Sequence, residues 1–198
     1  MGENGVGKEG VAVGFKPQLF EYASWKCNWL CEQWSEEAVE FVRRKMMLGP
    51  LDSVGSSLLR KFIGGPEVEV EAVGNLLLNE GIQEMEDLLI AFAGTTSFAN
   101  ANADMGVGDS VTAEAATQTD LQAATNKLFK AMNATYPSRA AQTLTFQSDF
   151  LTAEANYAWQ EMSIRNGVAR NKNLNRKVSS LGTKSTGTWT LTGTVAIT

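Results

Sequence analysis

Residues Gly106-Val107-Gly108-Asp109-Ser110 put two glycines, a carboxylate and a hydroxyl within five positions, the makings of a loop that cradles phosphate or a cation. Either chemistry demands more. A dinucleotide fingerprint needs a third glycine and a P-loop needs a following lysine, and neither comes after Gly108. The stretch therefore reads as a strand through Met105 and Val107 ending in a turn at Gly108-Asp109-Ser110. Asp104 and Asp109 offer carboxylates to calcium, yet the spacing of an EF-hand loop is absent. Glu154 and Glu161 flank the aromatic segment ANYAW, and paired acids beside rings suit glycoside hydrolysis when they face each other across a cleft. Strand parity sets Glu161 with Tyr157 and Trp159, and Glu154 in the preceding turn, so structural roles are expected for both. No histidine occurs anywhere in the chain, which removes the commonest general base and every Ser-His or Cys-His pair. Cys27 and Cys31 are two ligands short of a zinc site and, on a helix, would sit one turn apart, a poor place for a disulfide. Buried thiols in a reducing cytoplasm are the expectation. No catalytic residue, cofactor or metal is expected, and the chain reads as a non-enzyme.

The bulk numbers point the same way. The 198 residues are 43% hydrophobic and 20% charged, enough to bury a core. Residues 1–90 carry 15 acids and 8 bases, whereas residues 91–198 carry 7 acids and 9 bases. An acidic front half argues against nucleic acid, whose phosphates call for clustered Lys and Arg. The opening MGENGVGKEGVAVGF has no apolar run of the length a secretory leader needs, and no stretch is long and uncharged enough to span a bilayer.

The elements that must position these residues fall into two textures. Residues 1–14 are Gly-rich and aperiodic, a flexible or docking arm. Residues 15–73 read as a helical attachment region. From Pro17 to Leu48, Tyr22, Lys26, Leu30, Trp34, Ala38 and Val42 repeat every four positions, with a fresh start at Ser35-Glu36-Glu37 and cations Arg43, Arg44 and Lys45 in the last turn. LDSVGSSLLRKFI adds a short helix, and EVEVEAV alternates as an edge strand. NEGIQEMEDLLIAFAG is a further helix with the apolar stripe Ile82, Met85, Leu89 and Phe92. After Gly94 threonine, alanine and asparagine dominate, and apolar residues alternate: Leu144, Phe146 and Phe150 share a face, Tyr157 and Trp159 oppose Met162 and Ile164, and Trp189, Leu191, Val195 and Ile197 point inward while the threonines of β-type alternation point out. The fold class expected is α+β: an N-terminal helical arm, then an antiparallel, jelly-roll-like β-sandwich over residues 74–198 with one leading helix.

The aromatic cluster carries the functional expectation. Phe20, Trp25, Trp29, Trp34 and Phe41 would make a helix apolar around much of its circumference, which suits an inter-subunit contact. On that reading, removing Trp29 and Trp34 leaves the β-module folded and abolishes attachment.

Residues 74–198 resemble a module of tailed-bacteriophage virion proteins. The resemblance is carried by GNLLLNEGI, FANANADMGVGDSVTAEAATQTDLQA, NKLFKAMNATYP, LTFQSDFLTAEANYAWQEMSI and LNRKVSSLGTKSTGTWTLT, in that order and spacing. Gly193 departs from it, standing where such modules carry an apolar or β-branched residue, and is expected to mark a bulge. The resemblance implies a β-rich building block of the particle with no known catalytic residues; joined to the aromatic arm, it gives the expectation of a capsid decoration or minor capsid (cement) protein, found in the virion and assembled in the bacterial host cytoplasm. Its partners would be the major capsid protein or other virion proteins and further copies of itself, a trimer favoured, with no nucleic acid and no membrane. A tail, baseplate, collar or fibre-attachment component is the alternative within the particle. A carbohydrate-binding module at the host surface, with Trp159 on the glycan, is the alternative outside that class.

Overall fold

Alternation, not helical periodicity, governs residues 25–34. In the computed structural model, which describes residues 24–167 and 171–197, they form strand β1 (Trp25–Trp34). Helices α1 (Glu36–Lys45) and α2 (Ser56–Phe62) follow, then β2 (Val68–Val73), β3 (Leu76–Leu77) and α3 (Asn79–Leu89). The rest of the described chain is β4 (Asp104–Gly108), β5 (Lys127–Ala131), β6 (Ser138–Ala140), β7 (Thr143–Phe150), β8 (Ala158–Arg165), β9 (Asn173–Thr183) and β10 (Thr188–Ile197). They form two antiparallel five-stranded sheets, ordered β2-β1-β10-β7-β6 and β3-β9-β8-β4-β5, packed as a β-sandwich.

The helix expected over 17–48 is thus corrected to a strand plus a helix beginning at Ser35; residues 17–23 of it, with Phe20, and the arm 1–14 lie outside the described residues. The physical reason is that a spacing of four belongs to both periods. Trp25 and Trp29 lie one turn apart on a helix and two steps apart on one face of a strand. Cys27 and Cys31 complete that face, and β1 is paired along its whole length with β10 and from Asn28 to Gln33 with β2. An interior strand satisfies its backbone on both sides, which an isolated helix of aromatic and β-favouring residues does not improve upon. Trp34 has the opposite parity. It points outward, where α1 and α2 cover it with Val39, Val42, Val54 and Leu59.

Between the sheets lie Trp29, Phe146, Phe150, Trp159, Met162 and Leu191, all buried. Trp159 meets Phe150 and Trp189 edge-on at 4.8 and 5.0 Å between ring centroids, pairs worth roughly 0.5–1.5 kcal/mol each beyond their burial. Trp159, Met162 and Ile164 all face this core. The opposite faces expected for them are thus corrected: the strand changes which side chains it turns inward at the irregular register between Trp159 and Glu161. Gly193 marks no bulge: its pairing with Trp29 and Phe146 runs unbroken through both neighbours. A Cβ there would approach the Trp29 ring at 3.2 Å and the Ile164 and Met105 side chains at 3.3 Å. The missing side chain makes room for the indole.

Candidate functional site

Gly106, Val107 and Gly108 close strand β4, Asp109 and Ser110 lead into an irregular stretch instead of the expected turn, and the space above both glycines is filled by protein. A Cβ on Gly106 would strike the Phe129 ring, and one on Gly108 the Glu161 carboxylate. Asp104 accepts from Arg165 Nε and Nη2 at 3.1 and 2.9 Å, and Asp109 accepts from Asn126 Nδ2 at 2.7 Å. Each acid is engaged within its own loop or sheet.

Glu154 and Glu161 share no cleft. Glu154 closes the β7–β8 turn by accepting the Leu151 N–H at 2.8 Å and pairs with Lys130. Glu161 is fully buried with Arg176, whose Nε and Nη2 both lie 2.7 Å from Oε2. It also accepts the backbone N–H groups of Ala123 and Gln122 at 2.7 and 2.9 Å, while Arg176 Nη1 donates to Gln118 Oε1 at 3.0 Å. The pair therefore rivets the long 109–126 loop to the second sheet. Trp159, expected to serve a glycan, is buried at the centre of the sandwich, where no sugar reaches it.

Cys27 and Cys31 are free, buried thiols on the inner face of β1. Burial pushes the Cys27 thiol up to about 12 and raises Cys31 further still, so both stay protonated and unreactive at neutral pH. Lys184 is also buried. Its ammonium donates to Leu151 O and Asn156 Oδ1 at 2.8 Å and reaches Thr152 O at 3.4 Å, three acceptors for three hydrogens. Burial lowers its pKa to about 8, against the pull of Glu154 and Glu36. The unfolded chain thus holds this proton to higher pH than the folded one, and stability rises with pH above about 8. Cys27 and Cys31 carry the opposite sign, because the unfolded thiols ionise near their ordinary value of 9.0 while the folded ones do not. A stability maximum near pH 9 is expected. Urea midpoints measured from pH 7 to 10 check it, and in Lys184→Met the rise below pH 9 disappears while the fall above it remains.

A polar cleft of about 660 Å³ opens between α2 and the 133–136 turn, with Arg60, Tyr136, Asn133, Gln147 and Asp149 among its walls. Several of its polar groups are already engaged, with one another or with residues behind the walls. Asp149 accepts from Ser56 N at 2.8 Å and Thr190 Oγ1 at 2.8 Å, Asn133 donates to Gln147, and Arg60 holds the buried Glu32.

Of the expected interface residues, Trp29 and Trp34 are core residues of the single chain, each 1% exposed. Their apolar surface is consumed by the fold, because the two faces of one strand are covered from both sides. Trp25 is half-buried and donates from Nε1 to Asn75 Oδ1 at 3.2 Å. Phe41, on α1, remains exposed.

The surface that sequence reasoning missed belongs to α3, whose polarity is inverted. Its inward face carries Glu80, Gly81 and Glu84. Glu80 accepts the Asn173 N–H at 2.7 Å, and Glu84 accepts Thr96 N at 3.0 Å and Asn166 Nδ2 at 2.8 Å. Gly81 lies directly on the Asn173 and Leu174 backbone, so no side chain fits between helix and strand. Of the expected stripe only Met85 packs on the core; Ile82, Leu89 and Phe92 face outward. The helix runs into Leu88-Leu-Ile-Ala-Phe-Ala-Gly94, seven consecutive exposed residues without a charge. Within it Leu89 is 87%, Ile90 72% and Phe92 56% exposed. The signal was present as an uncharged apolar run, but its direction was set by carboxylates that found backbone donors inside. Among the described residues no helix is long and apolar enough to cross a membrane. Compared with protein-family models, curated proteins and solved structures, the chain matches none of them.

Proposed function

We propose that this chain is a structural protein of a tailed-bacteriophage particle, a capsid decoration or minor capsid protein whose work is adhesion between protein subunits. One observation carries the reading: the exposed, uncharged run 88–94 at the end of an inside-out helix. A soluble fold gains nothing by showing water Leu89, Ile90 and Phe92 together, whereas a contact surface gains about 25 cal/mol for each Å² of apolar area it covers. The resemblance of residues 74–198 to virion modules supplies the setting, and the major capsid protein or neighbouring copies supply the cover. In this reading the anchor is α3 and its C-terminal run rather than the tryptophans of β1. A cement protein stabilises a lattice by binding its assembled form alone, so its affinity adds directly to the lattice's stability. A copy number on the order of hundreds per particle marks the head, and a ring-sized count marks the tail alternative.

The test is attachment. Full-length chain is expected to co-sediment with particles, and Leu89→Glu with Phe92→Glu to abolish this while far-UV circular dichroism is unchanged. Full co-sedimentation of that variant, or absence of the wild-type chain from purified particles, overturns the reading.

A further inference from the structure

The run 88–94 has a counterpart elsewhere on the molecule. In the connection between α1 and α2, Met47 is 94% and Leu51 96% exposed, and Met46 and Phe41 are exposed beside them in sequence. Met47 occupies the position after the helix cap with φ of 54°, a left-handed conformation that ordinarily selects glycine. The N–H groups of Met47 and Leu48 return to the Arg44 and Arg43 carbonyls at 3.2 and 2.9 Å, which holds the turn in that shape. A large apolar side chain is therefore kept in water on a backbone that disfavours it, with no packing inside the chain to repay the strain.

The two patches differ in charge and in place. The exposed Arg44 and Lys45 immediately precede Met46-Met47, and Asp52 beyond Leu51 is taken up by the Gly49 N–H at 2.7 Å, whereas the exposed Glu86 stands just before the run that starts at Leu88. The α1–α2 connection lies over the first sheet, packing through Val54 on Trp34 and bonding Thr188. Helix α3 is seated on β9 of the second sheet. A like-on-like contact would bring acid to acid or base to base, while one patch on the other sets carboxylates against cations around an apolar centre.

We propose that copies of this chain assemble head to tail, with Leu89, Ile90 and Phe92 of one copy seated on Met47 and Leu51 of the next. The proposal rests on the reading of residues 88–94 as a subunit contact and names what covers them. The unbranched methionine adapts to the facing side chains, and Glu86 opposes Arg44 and Lys45 at the rim. Two different surfaces meet, so every copy in an assembly keeps one of each to offer, and growth stops only when a ring closes.

Sedimentation velocity of the purified full-length chain tests this without any particle. The wild type forms species larger than one chain, in a proportion that falls as salt rises. Leu89→Glu with Phe92→Glu sediments as a monomer, and so does Met47→Glu with Leu51→Glu, each with unchanged circular dichroism. Mixed in equal amounts, the two variants form a species of two chains and nothing larger, because one retains the first patch and the other the second. A monomeric wild type, or a mixture that stays monomeric, overturns the proposal. Assembly of the 47/51 variant at wild-type strength overturns it too but leaves residues 88–94 as a contact of another kind. Assembly of the 89/92 variant at wild-type strength overturns both this proposal and the reading beneath it.

Discussion

Replacing Glu161 by alanine is expected to cost about 3–5 kcal/mol of unfolding free energy, read from urea denaturation at neutral pH. Arg176 would then be a cation buried on all sides with only Gln118 Oε1 left to it, and the Gln122 and Ala123 N–H groups would lose their acceptor. A domain of ordinary stability has only about 5–15 kcal/mol in total, so the variant is expected to be marginal. Glu161→Leu combined with Arg176→Met should recover part of the loss, because it removes both charges together and leaves only the loop amides unpaired. A single substitution that costs less than about 1 kcal/mol would mean that the pair is solvated and the 109–126 loop is held by something else.

Trp29→Ala is expected to cost a similar amount, about 3–5 kcal/mol, and to do so in one cooperative transition. The indole sits between the sheets at full burial, over the gap that Gly193 leaves for it. Because β10 lies between β1 and β7, loosening β1 exposes the last strand of the same sheet rather than releasing an appendage. Phe41→Ala, on the exposed side of α1, should stay within about 0.5 kcal/mol of wild type. Two separate transitions in Trp29→Ala, with the later one unchanged, would restore the picture of an attachment arm hung on an independent module. The direct comparison is thermal unfolding of the two variants followed by near- and far-ultraviolet circular dichroism.

Much of the architecture is legible in the amino-acid sequence. The inward row of β10, Trp189, Leu191 and Val195, follows from strict alternation, and so do Leu144, Phe146 and Phe150 on β7. Glu69 and Glu71 were readable as the charged guards of an edge strand, and β2 is an edge of its sheet. The start of α1 was readable as well, since Ser35 accepts the Ala38 N–H at 3.2 Å and the acids and bases stand at the ends that the helix dipole favours. The candidate site was legible only in part. NEGIQEMEDLLIAFAG was recognisable as an amphipathic helix, but the assumption that the apolar side faces inward failed, because Glu80 and Glu84 meet free backbone donors at the start of β9 and in the 95–97 segment.

What the amino-acid order determined by itself was local: where alternation begins, where a helix is capped, which spacings forbid a phosphate loop or a zinc site. Such rules act between residues a few positions apart and are expressed in any surroundings. What only the tertiary structure decided was which of two compatible periods residues 25–34 adopt, which way α3 faces, and which apolar residues are left for a partner. Those choices turn on pairing with strands far along the chain and on single buried hydrogen bonds, whose free energies outweigh the small differences in local preference.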